Sequence, residues 1–189
     1  MKKLSILFLA LSVSIISCKD AKKSTETIET KPIKTNVVQP KKLTITLTPK
    51  SNSNVTGTVV FTEENGVVSM LATMTGLEPG EHAIHIHESS DCSSPDGKST
   101  GGHWNPTNQP HGKWGVETGY HKGDIGNFVA DENGNGNISM STNEWCIDCD
   151  DANKNIIGKG IIVHTGVDDF KTQPTGDAGG RVSCAGIIE

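Results

Sequence analysis

Ala83-Ile84-His85-Ile86-His87-Glu88 alternates as a β-strand does, but it carries histidine where a half-buried strand normally carries serine, threonine or lysine. Residues two apart on a strand project from the same face, about 6.6 Å apart at their origins, which is twice the rise per residue. Two imidazoles so placed can reach one metal ion. The chain has seven histidines, and six of them, His82, His85, His87, His103, His111 and His121, lie on this strand or in the segment that follows it. The seventh, His164, closes the apolar run Ile161-Ile162-Val163. A scattered histidine is most often a surface or satisfied core residue. That reading weakens when histidines cluster, include an HxH, and end in His121-Lys122-Gly123-Asp124, which puts an imidazole and a carboxylate in one tight turn.

Imidazole suits copper, zinc and iron, and a carboxylate among nitrogen donors is ordinary for tetrahedral zinc. The donors outnumber what one ion takes. Either two ions are implied, or one site with several bystanders. His82, three residues from His85, falls on the opposite face and stands apart from the site.

The elements that must position these residues are mainly β-strands. Leu43 to Leu47 alternates with period two, and Val55–Thr62 and Val67–Met74 flank the hairpin signal Glu63-Glu64-Asn65-Gly66. Glu78-Pro79-Gly80 turns into the histidine strand. Asn127–Ala130 and Ile138–Thr142, separated by a Gly/Asn-rich turn, read as a second hairpin. Ile161–His164 and Arg181–Cys184 read as the last two strands, and no helix of ordinary length is evident. Two long segments, roughly residues 88–124 and 165–180, lack strand periodicity yet hold most of the unusual residues, and structureless loops of that length are usually functional. With 21 Gly but only four Phe, three Trp and one Tyr, a core of small residues is expected. The predicted fold is all-β: an immunoglobulin-like, antiparallel Greek-key barrel or sandwich with two long functional loops.

The chain begins differently. Lys2-Lys3, the apolar run Leu4–Ile16 and Ser17-Cys18 read as a signal peptide over residues 1–17. The run is too short to span a bilayer, which takes about 20 apolar residues. Ile15-Ile16-Ser17-Cys18 resembles the lipobox of bacterial lipoproteins, which implies lipidation of Cys18; the alternative is an ordinary secretory signal with Cys18 left as a free thiol. Residues 18–42 read as a solvated tether with a reach of roughly 24–29 Å. From Lys19 to Lys42 there are seven Lys and three acids, whereas Leu43–Glu189 holds eight Lys/Arg and 19 Asp/Glu. An acidic domain at 43–189 is not expected to bind nucleic acid. The localisation expected is the periplasm or cell envelope, anchored to a membrane through lipid. Besides Cys18 the exported domain has Cys92, Cys146, Cys149 and Cys184; an even number in an oxidising compartment suggests two disulfides, with three connectivities open.

"HAIHIHESSDC", "GGHWNP", "HGK", "GYHKGDIGN", "IIVHTGVDD" and "TGDAGGRVSCAGII" resemble, in order and approximate spacing, the motifs of copper/zinc superoxide dismutases of the bacterial exported type. The resemblance covers about Leu43–Glu189. It implies copper held by His85, His87, His164 and His103. Zinc would be held by His103, His111, His121 and Asp124, with the His103 ring bridging the two ions. Asp168 matches the carboxylate that links a copper histidine to a zinc histidine; a solvated loop acid beside Asp169 is its other reading. Cys92 and Cys184 match the family disulfide. Arg181 matches the arginine that receives the anionic substrate, and His82 a histidine of structural use.

The activity so implied is dismutation of superoxide to oxygen and hydrogen peroxide through a one-electron copper cycle. His103 would act in proton transfer, and zinc would serve structure and electrostatics. The partners expected are superoxide and a membrane, with the protein a monomer or homodimer. Lys171 could steer the anion or be a plain surface residue. Other classes are an exported copper carrier, a copper-only relative, and a purely structural sandwich. The filled arginine position weighs against the first, His111, His121 and Asp124 against the second, and the histidine count against the third. Cys146-Ile147-Asp148-Cys149 lies outside the common family pattern. It could be a redox pair, half a metal site or a local disulfide, and export favours the disulfide.

Overall fold

A computed structural model describes residues 39–189. The expected signal peptide, Cys18 and nearly all of the expected tether lie outside the described residues. Eight strands form: β1 (Lys41–Pro49), β2 (Thr56–Glu64), β3 (Val67–Thr75), β4 (Gly80–His87), β5 (Gly126–Ala130), β6 (Gly136–Thr142), β7 (Gly160–His164) and β8 (Arg181–Gly186). They close an antiparallel barrel in the order β1-β2-β3-β6-β5-β4-β7-β8. The out-of-sequence neighbours make it a Greek key. Helix among the described residues is one 3-10 turn, Lys98–Thr100.

Alternation places the core. In β3 every second residue is buried, Val68, Met70, Ala72 and Met74. These side chains meet Phe61, Ile84, Ile86 and Ile161 inside the barrel. The expected small-residue core is therefore corrected. The fully buried side chains are large, led by Trp145, Phe61, Leu47, Met70, Met74 and six isoleucines. Glycine is frequent because it serves turns and close approaches, not because the interior is small.

Three further differences from the sequence reading have local causes. Lys41 and Lys42, expected in the tether, already pair with Glu63 and Thr62, and Lys41 Nζ donates to Ile147 O at 2.5 Å. The hairpin expected from β5 to β6 is joined at one position only, Ala130 opposite Gly136. β5 goes with β4 and β6 with β3, so the barrel wall is thin there. Finally, besides the two long loops after β4 and β7, a third connection of 17 residues (143–159) joins β6 to β7. It contains the CxxC.

Candidate metal centre

β4 and β7 are buried on both faces, unlike β3. Ile84 and Ile86 point into the core. His85 and His87 therefore project outward from the barrel wall, yet both are 0% exposed. What covers them is loop. Ile84 lies opposite Val163 and His85 opposite Ile162, so alternation puts His164 on the outward face too.

The loop after β4 returns to the strand it left. Trp104 N donates to Ile86 O at 2.8 Å, Ile86 N to Gly123 O at 2.9 Å and Glu88 N to Gly102 O at 3.0 Å. This backbone pairing sets His103 opposite His87 and lays the His121–Asp124 turn alongside. Gly123 is required by closeness: a Cβ there would collide with the carbonyl oxygen of Ile86. The loop after β7 supplies Asp168 and then crosses over it at Gly176. A Cβ on Gly176 would collide with Asp168 Oδ1 and fall 2.5 Å from His111 Nε2, on a backbone whose φ of +71° already favours glycine.

Two donor groups result. One nitrogen from each of His85, His87, His103 and His164 lies within 4.8 Å of the others; a second group joins His103, His111, His121 and Asp124 on the same criterion. All are buried, and His103 belongs to both. Six buried ring nitrogens lack a hydrogen-bond partner: His85 Nδ1, His87 Nε2, His103 Nε2, His164 Nε2, His111 Nδ1 and His121 Nδ1. Orphaned buried polar atoms are costly unless something else satisfies them; four of these belong to residues of the first group, and the other two, His111 Nδ1 and His121 Nδ1, lie 3.0 and 3.2 Å from the Asp124 carboxylate of the second. The donor sets fit metal: four imidazoles suit copper, and three imidazoles with a carboxylate suit tetrahedral zinc.

The other ring nitrogens orient the rings. Asp168 accepts from His85 Nε2 at 2.9 Å and from His111 Nε2 at 2.8 Å, so one carboxylate spans both groups. It is 1% exposed, which disposes of its reading as a solvated loop acid. His87 Nδ1 donates to Gly101 O at 2.9 Å, whereas His103 Nδ1, 2.8 Å from Asp124 Oδ1, meets a fellow member of the second donor group. His82 stands apart, as expected, with its ring nitrogens 3.0 Å from His164 O and 2.8 Å from Glu78 O.

Burial disfavours the imidazolium. It pushes His87 and His164 well below the ordinary histidine value and His103 to about 4. His111 is buried too, but Asp124 and Asp168 beside it overcome that and raise it to about 9. Asp124 is opposed by burial, yet the rings of His103, His111 and His121 hold its carboxyl far below the usual range.

Arg181 reaches this face through an irregularity. Val163 lies opposite Ser183, but His164 lies opposite Arg181, so the register skips Val182. Unbroken alternation would turn Arg181 inward; the bulge aims it to the His164 side. Its guanidinium donates to Gly97 O at 2.9 Å, Thr100 Oγ1 at 2.9 Å and Gly101 O at 2.8 Å. Gly101 O thus holds both Arg181 and His87. Nothing in the residue types of this segment marked these carbonyls beforehand. Cys92–Cys184 ties the same loop to β8, and Cys146–Cys149 is closed as the second disulfide.

A single imidazole shared by two buried donor groups on the wall of a Greek-key barrel is the arrangement of a protein that could hold two metal ions across a common ligand. The chain belongs to the copper/zinc superoxide dismutase family (SODC), whose family model matches residues 55–187. Among solved structures it is similar to a double mutant of a SOD-like protein from Bacillus subtilis. The TM-score there is 0.67 at 28% identity, over 77% of this chain and 97% of that one. It is also similar to the clock protein EA4, with a TM-score of 0.68 at 33% identity, over 80% of this chain and 97% of that one.

Proposed function

We propose that the protein removes superoxide by dismutation, two superoxide anions and two protons giving one oxygen and one hydrogen peroxide. Copper would sit among His85, His87, His103 and His164, and zinc among His103, His111, His121 and Asp124. The observation that carries this reading is the pair of buried donor groups that share His103, with six buried ring nitrogens among them lacking a hydrogen-bond partner. Bound copper would supply a one-electron couple, and zinc, which has no redox chemistry, a fixed charge and a template. The remaining work belongs to the chain. Arg181 offers a cationic docking point for the anion, rigid because three oxygens hold it. His103 Nε2 can carry a proton and surrender it readily, since burial disfavours the charged ring. Asp168 keeps the rings of His85 and His111 turned to their ions.

The test loads the protein with copper and zinc and compares superoxide removal by wild type and Arg181→Ala. Wild type should far exceed free copper, and loss of the docking cation should lower kcat/KM by about tenfold or more, equivalent to roughly 1.4 kcal/mol. Activity no greater than free copper would overturn the reading.

The leader supports a second part of the proposal. Residues 1–17 are a signal peptide of the bacterial lipoprotein type, Cys18 carries the lipid, and residues 18–42 tether the catalytic domain to a membrane of the cell envelope. Mass spectrometry of the mature N-terminus should find an acylated Cys18; an unmodified residue there would remove the anchor.

A further inference from the structure

The connection between β6 and β7 supplies no member of either donor group, yet it is strongly built. Trp145 is 1% exposed and packs edge-on against Phe61 of β2 and against Trp114, with ring centroids 6.4 and 5.5 Å apart. Ile147 N donates to Glu63 Oε2 at 2.8 Å, and Cys146 exchanges backbone bonds with Lys154 and Ile156 at 2.9 and 3.1 Å. The Cys146–Cys149 disulfide closes this segment.

What the segment grips is the zinc turn. Glu144 Oε1 accepts from Tyr120 Oη at 2.7 Å, while Glu144 Oε2 is ion-paired with Lys122 Nζ. Trp145 Nε1 donates to Lys122 O at 2.8 Å. Tyr120 and Lys122 are the two neighbours of His121. His121 is also the odd member of its group. Asp124, inside the group, lies beside all three rings, and Asp168 orients His111 through its other nitrogen, but among the described residues no hydrogen bond reaches His121 Nε2. Its ring has no outer partner to turn it, which is the usual device for a metal-bound histidine.

We propose that Glu144 and Trp145 are positioning residues for His121, holding it from both sides through its chain neighbours, and that the Cys146–Cys149 disulfide keeps them in place. The CxxC then acts as a support for zinc binding. This rests on the reading of His103, His111, His121 and Asp124 as the zinc set.

The test measures zinc affinity of the full-length protein by chelator competition. It also records the visible spectrum of cobalt(II) placed in the same set, for wild type, Glu144→Gln, Trp145→Phe and Cys146→Ser/Cys149→Ser. Outer partners of metal ligands typically contribute 10–100-fold in affinity. Glu144→Gln and Trp145→Phe should each weaken zinc by about tenfold and alter the cobalt bands, a change that a general loss of stability does not produce. The double serine variant should shift both readouts the same way. Should Trp145→Phe fail to fold, Glu144→Gln decides. Variants with unchanged zinc affinity and unchanged cobalt bands would overturn the inference alone. A wild type that takes up neither metal would overturn the zinc assignment and this inference with it.

Discussion

His103 and His111 both touch Asp124, yet they are driven in opposite directions, His103 to about 4 and His111 to about 9. Burial dominates the first ring, and a second carboxylate, Asp168, tips the second. The consequence for metal-free protein is a stability maximum near the ordinary histidine value of about 6.5. On the acid side, His87, His103 and His164 have depressed folded values. The unfolded chain therefore binds protons that the folded one refuses, and stability falls as pH drops from 6.5 toward 4. Asp124 and Asp168, both held low, extend the loss below about 3.9. On the alkaline side His111 has a raised folded value, so its contribution is complete below 6.5 and fades as pH rises toward 9. Urea midpoints of the metal-free protein should thus be highest near pH 6.5 and lower at pH 4.5 and 9. A midpoint that rises on acidification would contradict the burial of neutral rings.

At the scale of elements, the loop between β4 and β5 holds Arg181 through Gly97 O, Thr100 Oγ1 and Gly101 O, and is itself held to β8 by Cys92–Cys184. A Cys92→Ser/Cys184→Ser variant should lose about 2–4 kcal/mol of stability, read as a lower urea midpoint. At matched metal content its kcat/KM should fall as well, because the docking cation loses its fixed frame. Retained stability with retained kcat/KM would mean that backbone pairing alone sets the loop. The strands themselves were legible because a one-face core imposes period two: Val68, Met70, Ala72 and Met74 announce β3 without help. The HxH strand was legible for the same reason, with Ile84 and Ile86 marking the inward face. Three things were not. The skipped Val182 that turns Arg181 outward leaves no trace in the alternation of Arg181-Val182-Ser183-Cys184. Gly176 over Asp168 is a contact between distant segments. Trp145 stands next to the CxxC, but its grip on Lys122 O depends on how two loops meet.

For the whole molecule, charge is the governing quantity. Residues 43–189 carry eight cationic and 19 acidic side chains, so at long range the domain repels superoxide. Near the site the field is set by Arg181 and by any bound ions, and screening confines it to about 8–10 Å at ordinary ionic strength. Lys171 is exposed on the loop after β7, beside Asp169, whose carboxylate accepts from its backbone N–H at 2.8 Å. Lys171→Glu should therefore leave the association rate and its salt dependence unchanged, as a plain surface residue would. In Arg181→Ala the remaining repulsion should make the rate rise with salt. A marked loss of rate in Lys171→Glu would assign that lysine to steering after all.

Asp168 has one carboxylate and two clients, His85 in one donor group and His111 in the other. An ion that fixes either ring also fixes the carboxylate for the other, so occupancy of the two groups is thermodynamically linked. Linkage is reciprocal: whatever factor an ion in one group adds to the affinity of the other group, an ion there must add in return. An ion bound in one group would thus favour the binding of its neighbour.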